Sequence, residues 1–180
     1  MGKKIIPDEQ NRIEMSLRVI LIEFNDRKIL IDTGIGDYHS EKFNQQFGIT
    51  NIESPLETVL LDELSIKANQ ITDIILTHLH FDHVGGLGRG SNGANPIFEH
   101  ATIHLHKKHY EYAQSPTLRD AGSFQKHFFS PLLDWYQEKS QIQFLSDEEG
   151  IILSEGNNQI NYKCSFGHTP YMLHPVFDKF

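Results

Sequence analysis

The chain has 180 residues, of which 38% are hydrophobic, 11% aromatic and 22% charged, and its formal net charge is −8 with neutral histidine. This length predicts one domain, residues 1–180, with its own buried core, and the acidic balance argues against a nucleic-acid partner because phosphate backbones attract Lys and Arg. No apolar run approaches the ~18–20 residues that cross a membrane, and the single cysteine, Cys164, fits a reducing, cytoplasmic compartment.

The first predicted elements are a strand hairpin, a helix and a further strand. They cover residues 18–24, 28–32, 55–67 and 71–76. The hairpin turns at Asn25-Asp26, and Ser54 and Pro55 supply the N-cap and the first position of the helix. The order strand, helix, strand is typical of an α/β fold.

Three histidines and an aspartate follow that strand directly, at His78, His80, Asp82 and His83. On extended backbone, His78 and His80 leave the same face, so they can meet one cation. Asp82 and His83 lie where the chain should turn into a helix, which points them towards the same pocket for a second cation. Imidazole and carboxylate ligands suit Zn²⁺, and also iron, manganese or cobalt. A solvated histidine-rich loop is disfavoured because a strand pattern and a Gly-Gly turn flank the segment. One or two metal ions are therefore predicted.

The remaining predicted elements are two helical regions and five strands. They cover residues 101–106, 107–113, 117–139, 142–145, 150–153, 160–165 and 171–177. His104 and His106 share one face of the first strand and form a second candidate metal pair, although we favour hydrogen bonding or solvation for them. His109 is expected on the surface. Pro131 predicts a kink or two helices, and Cys164 is expected to be a structural thiol rather than a ligand.

The segment from Thr77 to His83 resembles the signature of the metallo-β-lactamase-fold hydrolases. Residues 21–34, which end in Asp-Thr-Gly, are similar to the N-terminal hairpin of that family, and residues 167–170 are similar to its Gly-His-Thr segment. The resemblance implies an α/β (α+β) fold, the αββα sandwich, and it implies His168 as the third ligand of the metal held by His78 and His80. Asp32 is the best candidate for a carboxylate that accepts the free ring N–H of a ligand histidine.

The resemblance extends to a branch of the family. Residues 117–139 correspond to a helical insertion that walls the pocket in its esterase, lactonase and organophosphate-hydrolase members. The aromatic side chains of the insertion could contact an apolar substrate, although their helical spacing favours core packing. They are Phe124, Phe128, Phe129, Trp135 and Tyr136.

The chain departs from the family after His168. The family continues to a metal-bridging Asp and later to a fourth His, whereas this sequence stops at Phe180, and neither Asp178 nor His174 fits those roles. We therefore expect a C-terminally shortened sandwich. Three explanations stay open: a fragment of a longer hydrolase, a minimal one-metal protein, or a homo-oligomer in which another copy completes the site, which we favour.

The predicted function is metal-dependent hydrolysis. A divalent metal, zinc above all, lowers the pKa of a bound water from about 15.7 towards 7 and so supplies hydroxide. We expect attack on a small-molecule lactone, ester or phosphotriester, with Asp82 orienting that water or accepting its proton. A metal-binding protein with weak or no activity and a glyoxalase-type thioester hydrolase stay as alternatives. A redox di-iron site is disfavoured because it expects Glu in place of His80.

Overall fold

Three sheets and five helices make up the regular structure of residues 6–49, 56–90 and 93–177, the part of the chain that the computed structural model describes. The strands are β1 (Ile20–Phe24), β2 (Arg27–Ile31), β3 (Asp73–Ile75), β4 (Gly88–Arg89), β5 (Asn95–Pro96), β6 (Thr102–His106), β7 (Ile142–Leu145), β8 (Glu149–Glu155), β9 (Asn158–Ser165) and β10 (Met172–Phe177). The helices are α1 (Glu41–Phe47), α2 (Leu56–Leu64), α3 (Phe81–Val84), α4 (Lys107–Gln114) and α5 (Lys126–Glu138). The predicted α/β class is confirmed.

The main sheet has the strand order β1-β2-β3-β6-β7. The hairpin β1–β2 is antiparallel, as its short turn requires, and the pairs β2–β3, β3–β6 and β6–β7 are parallel. The carboxyl ends of β2, β3 and β6 therefore meet at one edge of the sheet, which is where ligand sites form in such sheets. The antiparallel strands β8, β9 and β10 form a second sheet.

Two buried clusters cover the two faces of the main sheet, because successive side chains of a strand point to opposite faces. Leu30 and Ile74 join a cluster that contains residues of α2, α4 and α5. Ile29 and Ile75 join a second cluster, which they share with residues of the second sheet. The described residues thus form a helix layer and two stacked sheets, in agreement with the first three layers of the predicted sandwich.

Helix α1 is an element that the sequence analysis missed, although both of its ends carry sequence signals. The Ser40 side chain accepts a hydrogen bond from the N–H of Phe43, and Gly48 ends the helix with a φ of 65°. For α2, the predicted cap at Ser54 and Pro55 lies outside the described residues. None of the described helices has the length and apolar character that crossing a bilayer requires.

The predicted helical region 117–139 is only partly right. Residues 118–123 form turns, and one helix runs from Lys126 through Pro131 to Glu138, so the alternative of two helices divided at Pro131 is wrong. The turns are held by tertiary hydrogen bonds that the sequence pattern does not contain. The carbonyl of Ser123 accepts the N–H of Phe81 at 3.0 Å, and the carboxylate of Asp120 accepts the hydroxyl of Tyr112.

Candidate metal centre

Two loops at the edge of the main sheet bring three histidines together. After β3 the chain passes a bend at Thr77 and reaches His80, the extended N-cap of α3. The rings of His78 and His80 meet there, with centroids 4.5 Å apart. His168 comes from the turn between β9 and β10. One ligand atom from each of the three side chains lies within 4.8 Å of the others. His78 and His80 are buried, whereas His168 is exposed.

The three histidines have the chemistry of a transition-metal site. The Nε2 atoms of His78 and His80 are buried and have no hydrogen-bond partner. An unpaired buried nitrogen costs about 1–3 kcal/mol, which coordination to a metal would offset. Three imidazoles with an open fourth position are a known donor set for catalytic zinc. The residues present therefore fit a metal ion.

Thr77 and Asp32 orient the first histidine. The Thr77 hydroxyl donates to Asp32 Oδ2 at 2.8 Å, and Asp32 Oδ1 accepts the N–H of Thr77 at 2.8 Å. The Thr77 oxygen also lies 2.9 Å from Nδ1 of His78. Since the hydroxyl proton is given to Asp32, Nδ1 of His78 must be the donor in that bond. Its Nε2 then keeps a free lone pair, as coordination requires.

Asp82 and His83 lie beside the three histidines but outside the three-ligand group found in the described residues. His83 Nδ1 is 2.7 Å from Asp32 Oδ2, and its Nε2 is 3.7 Å from Asp82 Oδ2. The ring centroids of His83 and His78 are 4.0 Å apart. Because metal–oxygen and metal–nitrogen bonds are about 2.0–2.2 Å long, one ion can reach both Asp82 and His83. Asp32 thus contacts the ring of a candidate ligand histidine, and its role as partner of a metal ligand stays a prediction.

Burial sets the protonation of these rings. It lowers the pKa of His80 to about 4, with the His168 ring adding to the effect, and it holds the pKa of His78, next to His83, far below its ordinary value of 6.5. Burial also acts on His83, but the Asp32 carboxylate outweighs it and the pKa of His83 is raised. His78 and His80 are therefore neutral at pH 7, which is the form that binds metal.

The Gly85-Gly86 pair fits the metal loop against the turn after β2. A Cβ atom on Gly86 would lie 2.0 Å from the carbonyl oxygen of Thr33, and one on Gly85 would lie 2.1 Å from that of Ile35. The turn itself is tight, since Asp32 has a φ of 59°. Glycine at both positions allows the close approach that brings Asp32 to His83.

The insertion packs against the centre through one aromatic side chain. The Phe124 ring contacts the His80 ring edge-on, with centroids 4.6 Å apart. Phe129 and Tyr136 are buried in the helix-side core, as their spacing predicts. Phe128 instead contacts the ring of Tyr38, with centroids 4.9 Å apart.

The structure corrects the predicted position of His109. Expected on the surface, it is fully buried, and its ring nitrogens bond to two backbone groups, the N–H of Leu79 at 2.9 Å and the carbonyl of Pro170 at 2.8 Å. A sequence signal existed, since His109 and Ala113 are one helical turn apart and share the buried face of α4.

His104, His106 and Cys164 do not join the three-ligand group. His104 Nε2 lies 2.9 Å from Asp73 Oδ1, and His106 Nε2 lies 3.1 Å from the carbonyl of Asp147. The hydrogen-bonded interpretation of this pair is therefore confirmed. Cys164 packs against the second cluster, and burial raises the pKa of its thiol to about 11.

Comparison with known proteins gives a match to the model of the metallo-beta-lactamase superfamily over residues 18–141. The chain is 30% identical over 109 residues to the N-acyl homoserine lactonase AttM of Azorhizobium caulinodans, which covers 59% of this chain and 36% of that protein. It is 31% identical over 112 residues to an N-acyl homoserine lactonase of Bacillus cereus, covering 58% and 42%. The chain thus spans less than half the length of these two relatives.

Solved structures share the fold. A "probable metal-dependent hydrolase" from Staphylococcus aureus aligns with a TM-score of 0.77 at 21% identity and covers 98% of this chain and 58% of that chain. AidC, a dizinc quorum-quenching lactonase in complex with a homoserine product, aligns with a TM-score of 0.63 at 21% identity and covers 89% and 52%. At this identity the alignments establish the architecture and leave the chemistry to the residues of the site.

Proposed function

The chain belongs to the metallo-β-lactamase superfamily, and from this we propose that it is a metal-dependent hydrolase of a small-molecule lactone, ester or phosphotriester. The observation that carries the proposal is the group of His78, His80 and His168, whose ligand atoms lie within 4.8 Å of one another. The two buried Nε2 atoms without partners add a reason for an ion at this place. Hydrolysis is the chemistry that an open three-histidine site supports.

The residues of the centre would have different roles. His78, His80 and His168 hold the ion, and Asp32 with Thr77 keeps His78 and His83 in the tautomers that leave Nε2 free. The bound ion supplies Lewis acidity and lowers the pKa of a coordinated water. Asp82, about 29% exposed beside His83, is placed to accept a proton at a carboxylate oxygen. A Ser or Cys nucleophile is not required.

The substrate class is supported by the relatives. Both curated relatives are named N-acyl homoserine lactonases, and a lactone is the first substrate to test. Phe124 packs against the His80 ring but is only 5% exposed and belongs to the core, so it supports the position of His80 and gives no argument for a particular substrate.

Zinc is the proposed metal, with one ion held by the three histidines. A second ion is proposed between Asp82 and His83, which are 3.7 Å apart. Those two donors leave coordination positions to fill, and we propose that a second copy of the chain in a homo-oligomer supplies them. A cytoplasmic location stays a prediction.

The test is turnover by the purified chain against a panel of lactones, esters, thioesters and phosphotriesters. We expect hydrolysis of at least one lactone or ester that a chelator abolishes, that added zinc restores, and that the His80→Ala variant lacks. His100→Ala, a surface histidine in the turn before β6, is the matched control and should keep full activity. Metal bound in stoichiometric amount without turnover on any substrate would overturn the proposal.

A second candidate function is metal binding without catalysis. It is favoured by the separation of Asp82 and His83 from the three-ligand group in the described residues. Metal content and solution mass, measured on the same sample, distinguish the two candidates when combined with the panel. One ion per chain with no turnover supports the second, whereas two ions in a defined oligomer with turnover support the first.

A further inference from the structure

His109 joins the two loops that carry the candidate ligands. Its Nε2 accepts the N–H of Leu79, the residue between His78 and His80, at 2.9 Å. Its Nδ1 lies 2.8 Å from the carbonyl of Pro170, two residues after His168. A carbonyl accepts only, so Nδ1 carries the proton, and the ring is in a single neutral tautomer.

The position of this ring makes the connection rigid. His109 lies on α4, which follows directly after β6 of the main sheet, and its side chain is fully buried. The Phe124 ring packs beside it with centroids 5.7 Å apart. A second connection runs parallel to it, since the N–H of Leu173 donates to the carbonyl of Thr77 at 2.9 Å. The two loops therefore cannot separate at this level without breaking buried hydrogen bonds.

We infer that His109 is a positioning residue of the metal centre, which holds His168 at coordination distance from His78 and His80. His168 needs such a constraint most, because it is exposed and comes from a turn between two strands of the other sheet. His109 touches the backbone of both loops, and its nitrogens are occupied by those contacts, so it acts on the metal only through the three ligands. The inference rests on the metal site of the proposed function and is independent of the hydrolytic activity.

Zinc affinity without substrate tests the inference. His109→Phe keeps a buried ring and removes both hydrogen bonds. Partners of metal ligands typically change metal affinity 10–100-fold, so we expect zinc to bind at least tenfold more weakly. His109→Gln can keep the acceptor for Leu79, His109→Asn can keep the donor to Pro170, and each should restore part of the loss.

The control is Tyr136→Phe. It removes one buried hydrogen bond, from the Tyr136 hydroxyl to the carbonyl of Phe98, on a fully buried ring away from the centre. We expect its zinc affinity to stay within twofold of the wild type. Equal zinc affinity in His109→Phe and the wild type would overturn the inference and leave the metal site standing. A wild type that binds no zinc would overturn both.

A second measurement, on the wild-type protein with His109→Gln used only to assign the signal, covers the case in which His109→Phe does not fold. Nitrogen-15 spectra of the imidazole rings report which nitrogen carries the proton, and loss of a signal in the His109→Gln variant assigns it. We expect the Nδ1–H form of His109 with and without zinc. A proton on Nε2 would contradict the bond to Leu79 and overturn the inference.

Discussion

The chain contains two histidine pairs with the same spacing, and among the described residues only the first pair belongs to a group of three candidate metal ligands. His78 and His80 leave the end of β3, and their Nε2 atoms are buried without hydrogen-bond partners. His104 and His106 lie on β6, and their Nε2 atoms are bound to Asp73 and to the carbonyl of Asp147. Their Nδ1 atoms are also buried without partners, but no third candidate ligand among the described residues joins them. The spacing brings two rings to one face in both cases, so it cannot distinguish them.

The neighbouring carboxylate also acts on different ring nitrogens in the two pairs. Asp32 accepts the Thr77 hydroxyl, which makes His78 Nδ1 the donor to that oxygen and keeps His78 Nε2 free. Asp73 takes Nε2 of His104 itself, and it also accepts Arg27 at 2.7 Å. The position of a carboxylate therefore decides which ring nitrogen of a histidine stays free.

Removal of the third donor should have the largest effect on this comparison. In His168→Ala, His78 and His80 lose their partner in the other sheet and become an isolated pair. Four-ligand zinc sites bind with about 10–16 kcal/mol, so one ligand contributes about 3 kcal/mol and its loss weakens binding a hundredfold or more. Competition with a chelating indicator measures this, and His174→Ala, an exposed histidine on β10, should keep wild-type affinity. Equal affinities in the two variants would contradict the assignment of His168.

A change beside the second pair, His104 and His106, should lower the stability of the fold and leave zinc binding unchanged. Asp73→Asn leaves Arg27 and buried His104 without their carboxylate, while the amide keeps part of the hydrogen bonding. We expect the free energy of unfolding to fall by about 2 kcal/mol and the zinc affinity to stay unchanged. Urea unfolding and zinc titration of the same sample check both. A loss of zinc binding by the folded variant would show that the two pairs are coupled.

Asp32→Asn tests the carboxylate next to the first pair, His78 and His80. The single amide oxygen cannot replace both carboxylate oxygens, of which Oδ1 accepts the Thr77 N–H while Oδ2 accepts the Thr77 hydroxyl and His83 Nδ1. We expect metal affinity to fall about tenfold, about 1.4 kcal/mol. Zinc titration measures the change, and a variant that binds zinc as the wild type does would remove Asp32 from the centre.

The smallest expected effect is the pH dependence of the stabilisation that Asp73 gives to the fold. Burial opposes ionisation of Asp73, but hydrogen bonds from His104, Thr72 and Arg27 outweigh it and lower its pKa below 3.8. Because the pKa of Asp73 is lower in the folded state than in the unfolded state, the ionised carboxylate stabilises the fold at pH values above the unfolded-state pKa. This stabilisation is lost as the pH falls through the folded-state pKa. The stability difference between wild type and Asp73→Asn should therefore be constant from pH 6 to about pH 5 and shrink below it. A difference that grows below pH 4 would contradict this sign.

Much of the fold could be predicted because its signals are local. The hairpin β1–β2, the strand β6 and the helix α4 follow from periodicity and turn residues within a few positions. The region 117–139 was only partly right, since the bond from Phe81 to Ser123 and the contact of Asp120 with Tyr112 keep residues 118–123 out of the helix. The bond from Phe81 to Ser123 joins segments far apart in sequence, which no periodic pattern records.

The sequence by itself determined the candidate ligands, because strand and turn geometry already places His78, His80, Asp82 and His83 at the end of β3. Only the tertiary structure decided which nitrogens are free. It brought His168 from the second sheet to within 4.8 Å of the pair, and it buried His109 between the two loops. The physical reason is that a metal site needs unpaired lone pairs at fixed distances, and both properties depend on partners that the folded chain alone supplies.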